Sequence, residues 1–149
     1  MEDVSAWVYD DPLIDSRDWL LRRIPMTPNF CTFDLLDGRP RLHPAALRRE
    51  AGEGMSVHLQ SILVSRKRDI TTLYDEGFGS VRFIVGVPRT AGAGVLCTPA
   101  EGDLDTDRAA SHAEVRPPTW EKNRTAWKSV SNTIALHAEW IVLPDWESR

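Results

Sequence analysis

The stretch that decides the fold is residues 119–144, TWEKNRTAWKSVSNTIALHAEWIVLP. Trp120, Trp127, Ile134 and Ile141 recur every seven residues, and Val130 and Ala138 fall on the same side. That spacing draws one continuous apolar stripe along an α-helix. Lys122, Lys128, Ser129 and Asn132 face away from the stripe. Thr119 is a residue type that caps helix N-termini, Glu121 follows in the first turn, and Pro144 stops the segment. Such a helix must lay its stripe over an apolar layer, and the strand-like runs upstream supply one.

Working back from this helix, residues 111–115 and 95–98 read as short strands on either side of the acidic loop 99–107. Residues 80–87 are mostly β-branched and aromatic, which marks a buried strand that Pro88 ends. Residues 55–65 fit two periods. Met55, Val57 and Leu59 alternate like a strand, whereas Leu59, Ile62 and Leu63 space like a helix. With Ser56 as a cap, the expectation is a helix over 56–65, with Arg66-Lys67-Arg68 complementing the dipole at its end. Residues 30–36 and 39–42 flank Asp37-Gly38, a strong two-residue turn, so they form a hairpin with Pro40 on an edge strand. Residues 45–50 add a helical turn that Gly52-Glu53-Gly54 breaks. A first helix is expected from Asp15 or Ser16 as N-cap, through Trp19, Leu20, Leu21 and Ile24, to Pro25.

The fold class is therefore α+β: a small, mostly antiparallel sheet packed by a long C-terminal amphipathic helix and one or two shorter helices. The chain divides into an acidic, partly flexible lead-in over 1–16, a single globular domain over 17–144 and a polar tail over 145–149. A length of 149 residues, 42% hydrophobic and 27% charged, suits one domain. A net charge of −4 supplies no global attraction to nucleic acid or anionic lipid. The start, Met1-Glu2-Asp3-Val4, is acidic where a secretory signal is basic, and the apolar runs fall short of the ~20 residues of a membrane span. A cytoplasmic location is expected. Cys31 and Cys97 sit in apolar, strand-like surroundings without CxxC spacing, which reads as two buried thiols. No metal site and no cofactor is implied.

Among residues able to do chemistry, His112 and Glu114 come first. Strand residues two apart share a face, so they can act as a base with an orienting carboxylate, or as two metal ligands. The same triplet recurs at residues 137–139. On a helix, His137 and Glu139 are about 200° apart, so the repeat is not a second site. His58 adds a third candidate ligand to the first pair, but no HxH or HxxxH unit anchors a metal. His43 sits in a His-Pro turn and is expected in solvent.

Charge is segregated along the chain. Arg39, Arg41, Arg48, Arg49, Arg66, Lys67 and Arg68 face only Glu50 and Glu53 in their stretch, while the first 18 residues carry six acids against Arg17. This pattern describes a solvated face paired with the acidic lead-in, or a patch for an acidic partner. No aromatic residues interleave with these cations, which argues against single-stranded nucleic acid. Trp146, beyond Pro144 in the polar tail, is a candidate interface anchor.

The order Leu20-Leu21-Arg22-Arg23-Ile24, then Met55-Ser56-Val57, then Arg89 with Gly92-Ala93-Gly94-Val95 and Pro99, then His112-Ala113-Glu114-Val115, resembles a widespread family of small uncharacterised bacterial proteins. The resemblance spans roughly residues 20–140. It implies a bacterial, stand-alone domain encoded beside partner genes, and it implies no activity.

Two functions follow. The first is a non-enzymatic protein-interaction module, a small bacterial accessory or regulatory protein. It binds an acidic or apolar partner surface, or a second copy of itself, through the basic residues named above or through Trp146. The second is a small enzyme with a nucleotide-handling or transferase-like site. There Arg22 or Arg23 holds phosphate, Ser56, His58, His112 and Glu114 converge in one cleft, and histidine acts as acid or base. Folds that transfer ADP-ribose use scattered Arg or His, Ser and Glu of this kind, an analogy at the level of fold alone. The enzyme reading requires His112, Glu114 and an arginine to share one concave pocket.

Overall fold

Leu20 and Leu21, adjacent in the chain, are both fully buried. Neighbours in a strand point to opposite faces, so this segment is covered on both sides. In the computed structural model, which describes residues 7–33, 36, 38–50, 54–119 and 123–143, the segment is strand β1 (Trp19–Ile24). The helix expected there does not form. β1 instead pairs along its whole length with β5 (Gly79–Ile84), from Trp19↔Ile84 to Ile24↔Gly79. Asp15 still caps, but it caps a turn: its Oδ1 accepts from the Arg17 N–H at 2.8 Å, and the chain then enters the strand.

Between these strands in sequence lie the hairpin β2 (Cys31–Phe33) and β3 (Pro40–Leu42), β4 (Met55–Leu59) and helix α1 (Gln60–Ser65). After β5 come α2 (Gly86–Thr90), β6 (Gly94–Cys97), α3 (Thr106–Ser111), β7 (His112–Arg116), α4 (Arg124–His137) and β8 (Glu139–Val142). Six strands form one antiparallel sheet in the order β6-β7-β4-β1-β5-β8, and the hairpin stands apart as a two-stranded sheet. The α+β class is as the sequence indicates.

Three further expectations need correction. The strand expected over 80–87 ends at Ile84, and Pro88 lies within α2 rather than stopping a strand. Residues 55–65 are not one helix: the alternating apolar residues build β4, and α1 begins only after Leu59, so each of the two periods governs its own half. The C-terminal helix is shorter than its heptads suggest. Asn123 caps it, accepting from the Ala126 N–H at 3.0 Å, and Ala138 ends it in extended conformation. Ile141 then lies on β8, within the β-favouring run Trp140-Ile141-Val142 that pairs with β5.

The helix does cover the sheet. Val130 and Ile134 pack with Leu20, Val57, Phe83 and Val115 in the main core, and Trp127 anchors its near end by donating Nε1–H to the Leu47 carbonyl at 2.9 Å. The opposite face carries a smaller core of Leu21, Leu63 and Leu73 beneath α1 and the loop that follows it. Cys31 is buried as expected, whereas Cys97 is exposed at the sheet edge; both are free thiols. No helix among the described residues is long and apolar enough to cross a membrane.

Candidate functional site

Strand pairing decides which polar side chains meet. Ser56 lies opposite Glu114 and His58 opposite His112, while Leu21 lies opposite His58. Opposed residues share a face, so Ser56, His58, His112 and Glu114 all emerge on the side away from α4. β1 and β4 are in register only at Leu20↔Leu59 and Leu21↔His58. Past that point Arg22 bridges them. Its guanidinium donates to the Ser56 carbonyl at 2.8 Å, to the Ala46 carbonyl at 3.2 and 3.0 Å, and to Glu50 Oε1 at 2.8 Å. Where the strands part, an open cleft of about 390 Å³ forms, with Arg22, Arg23, Ser56, His58 and His112 in its lining. The loop at Ala100 and Asp103, and Arg108 of α3, form one wall; Tyr74 and Asp75 form another.

The centre of the cleft is a relay. His112 Nδ1 donates to the Thr98 carbonyl at 2.7 Å, which fixes the ring and turns Nε2 inwards, 3.2 Å from Ser56 Oγ. The Ser56 hydroxyl also lies 2.6 Å from Glu50 Oε2, as donor. Burial pushes the Glu50 carboxyl up, but the Ser56 hydroxyl and the Arg22 guanidinium outweigh it and hold the group below its usual range. Glu50 is thus an anion, and the serine hydroxyl stands between a carboxylate and an imidazole.

His58 takes another environment. It is only 9% exposed, its Nδ1 lies 2.8 Å from the Tyr74 hydroxyl, and its ring meets the His112 ring edge-on at 5.5 Å between centroids. Burial, with His112 and Arg108 nearby, pushes it down to about 3, so it is neutral. Arg23 is exposed, stacks over the Phe78 ring at 4.7 Å, and has no acidic partner among the described residues. Arg108 is instead engaged by the wall itself, its Nε 3.2 Å from Asp103 Oδ2 and its Nη1 donating to the Leu73 carbonyl.

The fold thus brings Arg22, Arg23, Ser56, His58 and His112 to one cleft, and two of the residues named from the sequence have other partners. Glu114 shares the face of His112 but does not orient it. Its carboxylate accepts from the Gly54 N–H at 3.0 Å and from Arg116 at 2.9 Å, where a Cβ on Gly54 would lie 2.6 Å from the Val115 carbonyl oxygen. It secures the entry into β4, and the carboxylate of the relay is Glu50. Arg22, with four of its five N–H groups given to carbonyls and Glu50, braces the strands. Glu50, Tyr74, Thr98 and Arg108 were not legible as site residues. Glu50 read as a mere counter-charge, and the others lie in stretches without any motif.

The second triplet is no site: His137 ends α4 with Nδ1 on the Thr133 carbonyl, and Glu139 pairs with Arg82. His43 is held by the Thr32 hydroxyl at 3.0 Å rather than lying free in solvent. Among the described residues, no group of three or more His, Cys, Asp or Glu is placed to hold a metal ion.

The basic residues disperse. Arg66 and Arg68 pair with Asp107 and Asp105 of the α3 region. Arg48 stacks over Phe30. With Arg49, it lines a groove of about 640 Å³ between α4 and residues 44–50, to which α4 adds Arg124 and Lys128. Arg39 and Arg41 line a second groove, across Pro44 from the first. Lys67 is exposed at the end of α1, with positive φ. Trp146 lies outside the described residues. No family model, curated protein or solved structure matches the chain.

Proposed function

We propose that this protein is a small enzyme with a nucleotide-handling, transferase-like site in the cleft between β1 and β4. The observation that carries this reading is the Ser56 hydroxyl, held between His112 Nε2 and Glu50 Oε2 on an open concave surface. A hydroxyl flanked by two proton acceptors is primed to give up its hydrogen. The carbonyl of Thr98 keeps the proton of His112 on Nδ1 and Ser56 gives its one hydrogen to Glu50, so Nε2 is free to accept a proton from a substrate hydroxyl. Arg23, exposed at the rim, is the group for a substrate phosphate. Arg22 and Glu114 hold the two strands that carry these groups. The test is a screen of nucleotides and dinucleotides by ligand-observed NMR, followed by turnover assays on those that bind. Binding that Arg23→Gln weakens, with turnover that His112→Gln removes, supports the reading. Absence of any nucleotide binding rejects it.

A second reading has its own observation. The groove beside α4 gathers Arg48, Arg49, Arg124 and Lys128 above a floor of Leu47 and Trp127. A basic trough with an apolar floor suits an acidic, extended protein segment, so the domain also serves as an interaction module. Retention of the protein by an immobilised Glu-rich peptide, lost at high salt and in Arg124→Glu/Lys128→Glu, is the expected result. Equal retention of the variant removes this reading.

A further inference from the structure

We propose that His58 selects the ligand of the cleft: its Nε2 accepts a hydrogen bond from a neutral O–H or N–H, which in a nucleotide is a ribose hydroxyl. The inference rests on the nucleotide reading and deepens it.

The direction of a hydrogen-bond chain carries the argument. The Tyr74 hydroxyl lies 3.2 Å from the Leu21 carbonyl oxygen, and His58 Nδ1 lies 2.8 Å from the same hydroxyl. A carbonyl only accepts, and a phenol has one hydrogen to give. The one assignment that pairs all three groups has Tyr74 donating to Leu21 and His58 Nδ1–H donating to Tyr74. Nε2 then holds a lone pair. His112 does not fill it, because its own Nε2 is turned to Ser56. No described residue donates to it, although the ring is nine-tenths buried and lines the cleft.

Nε2 keeps solvent access where the ring lines the open cleft, so a donor that arrives with the ligand can take the place of water there. The ring stays uncharged in this setting and so gives a phosphate nothing to bind. The anionic end of a ligand belongs with Arg23 at the rim, and the neutral donor belongs with His58 inside. A phosphate and a ribose hydroxyl on one small molecule meet both requirements.

Two measurements test this. The ¹⁵N shifts of the His58 imidazole between pH 5 and pH 8 are expected to report Nδ1–H and unprotonated Nε2 throughout. An Nε2–H tautomer overturns the proposal. Tyr74→Phe, which removes the acceptor for Nδ1–H, is expected to shift the ring towards a tautomer mixture; an unchanged ring counts against the chain. Adenosine 5′-monophosphate and its 2′,3′-dideoxy counterpart are then titrated against the unaltered protein, so no variant has to fold. The ribose form is expected to bind about tenfold more tightly. His58→Phe, if folded, loses that preference. Equal affinity for the two nucleotides overturns the role of His58. Failure of both to bind overturns the nucleotide reading, and the ribose assignment with it.

Discussion

Ser56 and His112 are 56 residues apart in sequence and 3.2 Å apart between Oγ and Nε2. The antiparallel pairing of β4 with β7 makes the encounter, and the Thr98 carbonyl aims the ring. Replacing His112 with Gln keeps a polar side chain but removes the proton acceptor. Turnover of a nucleotide found by the screen should fall by about 10²–10⁴-fold, with little change in binding. Steady-state kinetics that split kcat from KM check this.

Arg22 should matter more for stability than for substrate. One guanidinium, 14% exposed, satisfies two backbone carbonyls and Glu50. Arg22→Met leaves those acceptors unpaired and should cost about 2–4 kcal/mol, read as a lower urea midpoint. Glu50→Gln, at a more exposed position, should cost no more than about 1 kcal/mol while still disturbing the relay.

His58 sets an acid sensitivity. Its ordinary value is 6.5 and burial lowers it to about 3 in the fold. Between those values the unfolded chain binds a proton that the folded chain does not. Unfolding free energy therefore rises with pH across this window, and stability is lost as pH falls from 6.5 towards 3, by at most ~1.4 kcal/mol per pH unit. Asp107, held down by Arg66 and Arg68, acts in the same direction at lower pH. His58→Gln should flatten the profile between pH 6.5 and about 4.5, which urea titrations at a series of pH values measure.

Asp105 joins the wall of the cleft to the basic turn after α1. Its Oδ1 accepts from the N–H groups of Asp107 and Arg108, and its carboxylate pairs with Arg68. Asp105→Ala should cost about 1–2 kcal/mol, and Asp105→Asn appreciably less, because an amide oxygen still caps. Denaturant midpoints of the two variants separate the cap from the charge.

Legibility differed by element for physical reasons. Asp37-Gly38 announced a hairpin, and β2 does pair with β3, but the strands end at Phe33 and resume at Pro40 rather than meeting at a two-residue turn. The heptad of Trp127 and Ile134 marked the helix that covers the core, but Ile141 continued the same spacing into a strand. A seven-residue period cannot tell a helix end from the start of an extended run. β1 was misread because a strand buried on both faces shows consecutive apolar residues and no alternation. In the site, strand pairing gathered Ser56, His58 and His112 from distant stretches, and local spacing could suggest only that His112 and Glu114 shared a face. Glu50 entered through the brace of Arg22, a contact across the fold that leaves no trace in the order of residues.

Cys97, exposed where Cys31 is buried, sits one residue before Thr98, whose carbonyl holds the His112 ring. Cys97 pairs with Ala113, so a single thiol-reactive fluorophore attached there would mark the α4 side of this sheet edge, across the strand from the His112 ring, without any engineered cysteine. Partial burial raises its thiol, with Asp11 and Asp18 adding to the effect, so the conjugation should run slowly at neutral pH and quicken in mildly alkaline buffer. The unmodified chain thus carries its own attachment point for an optical readout of unfolding at the β6 edge.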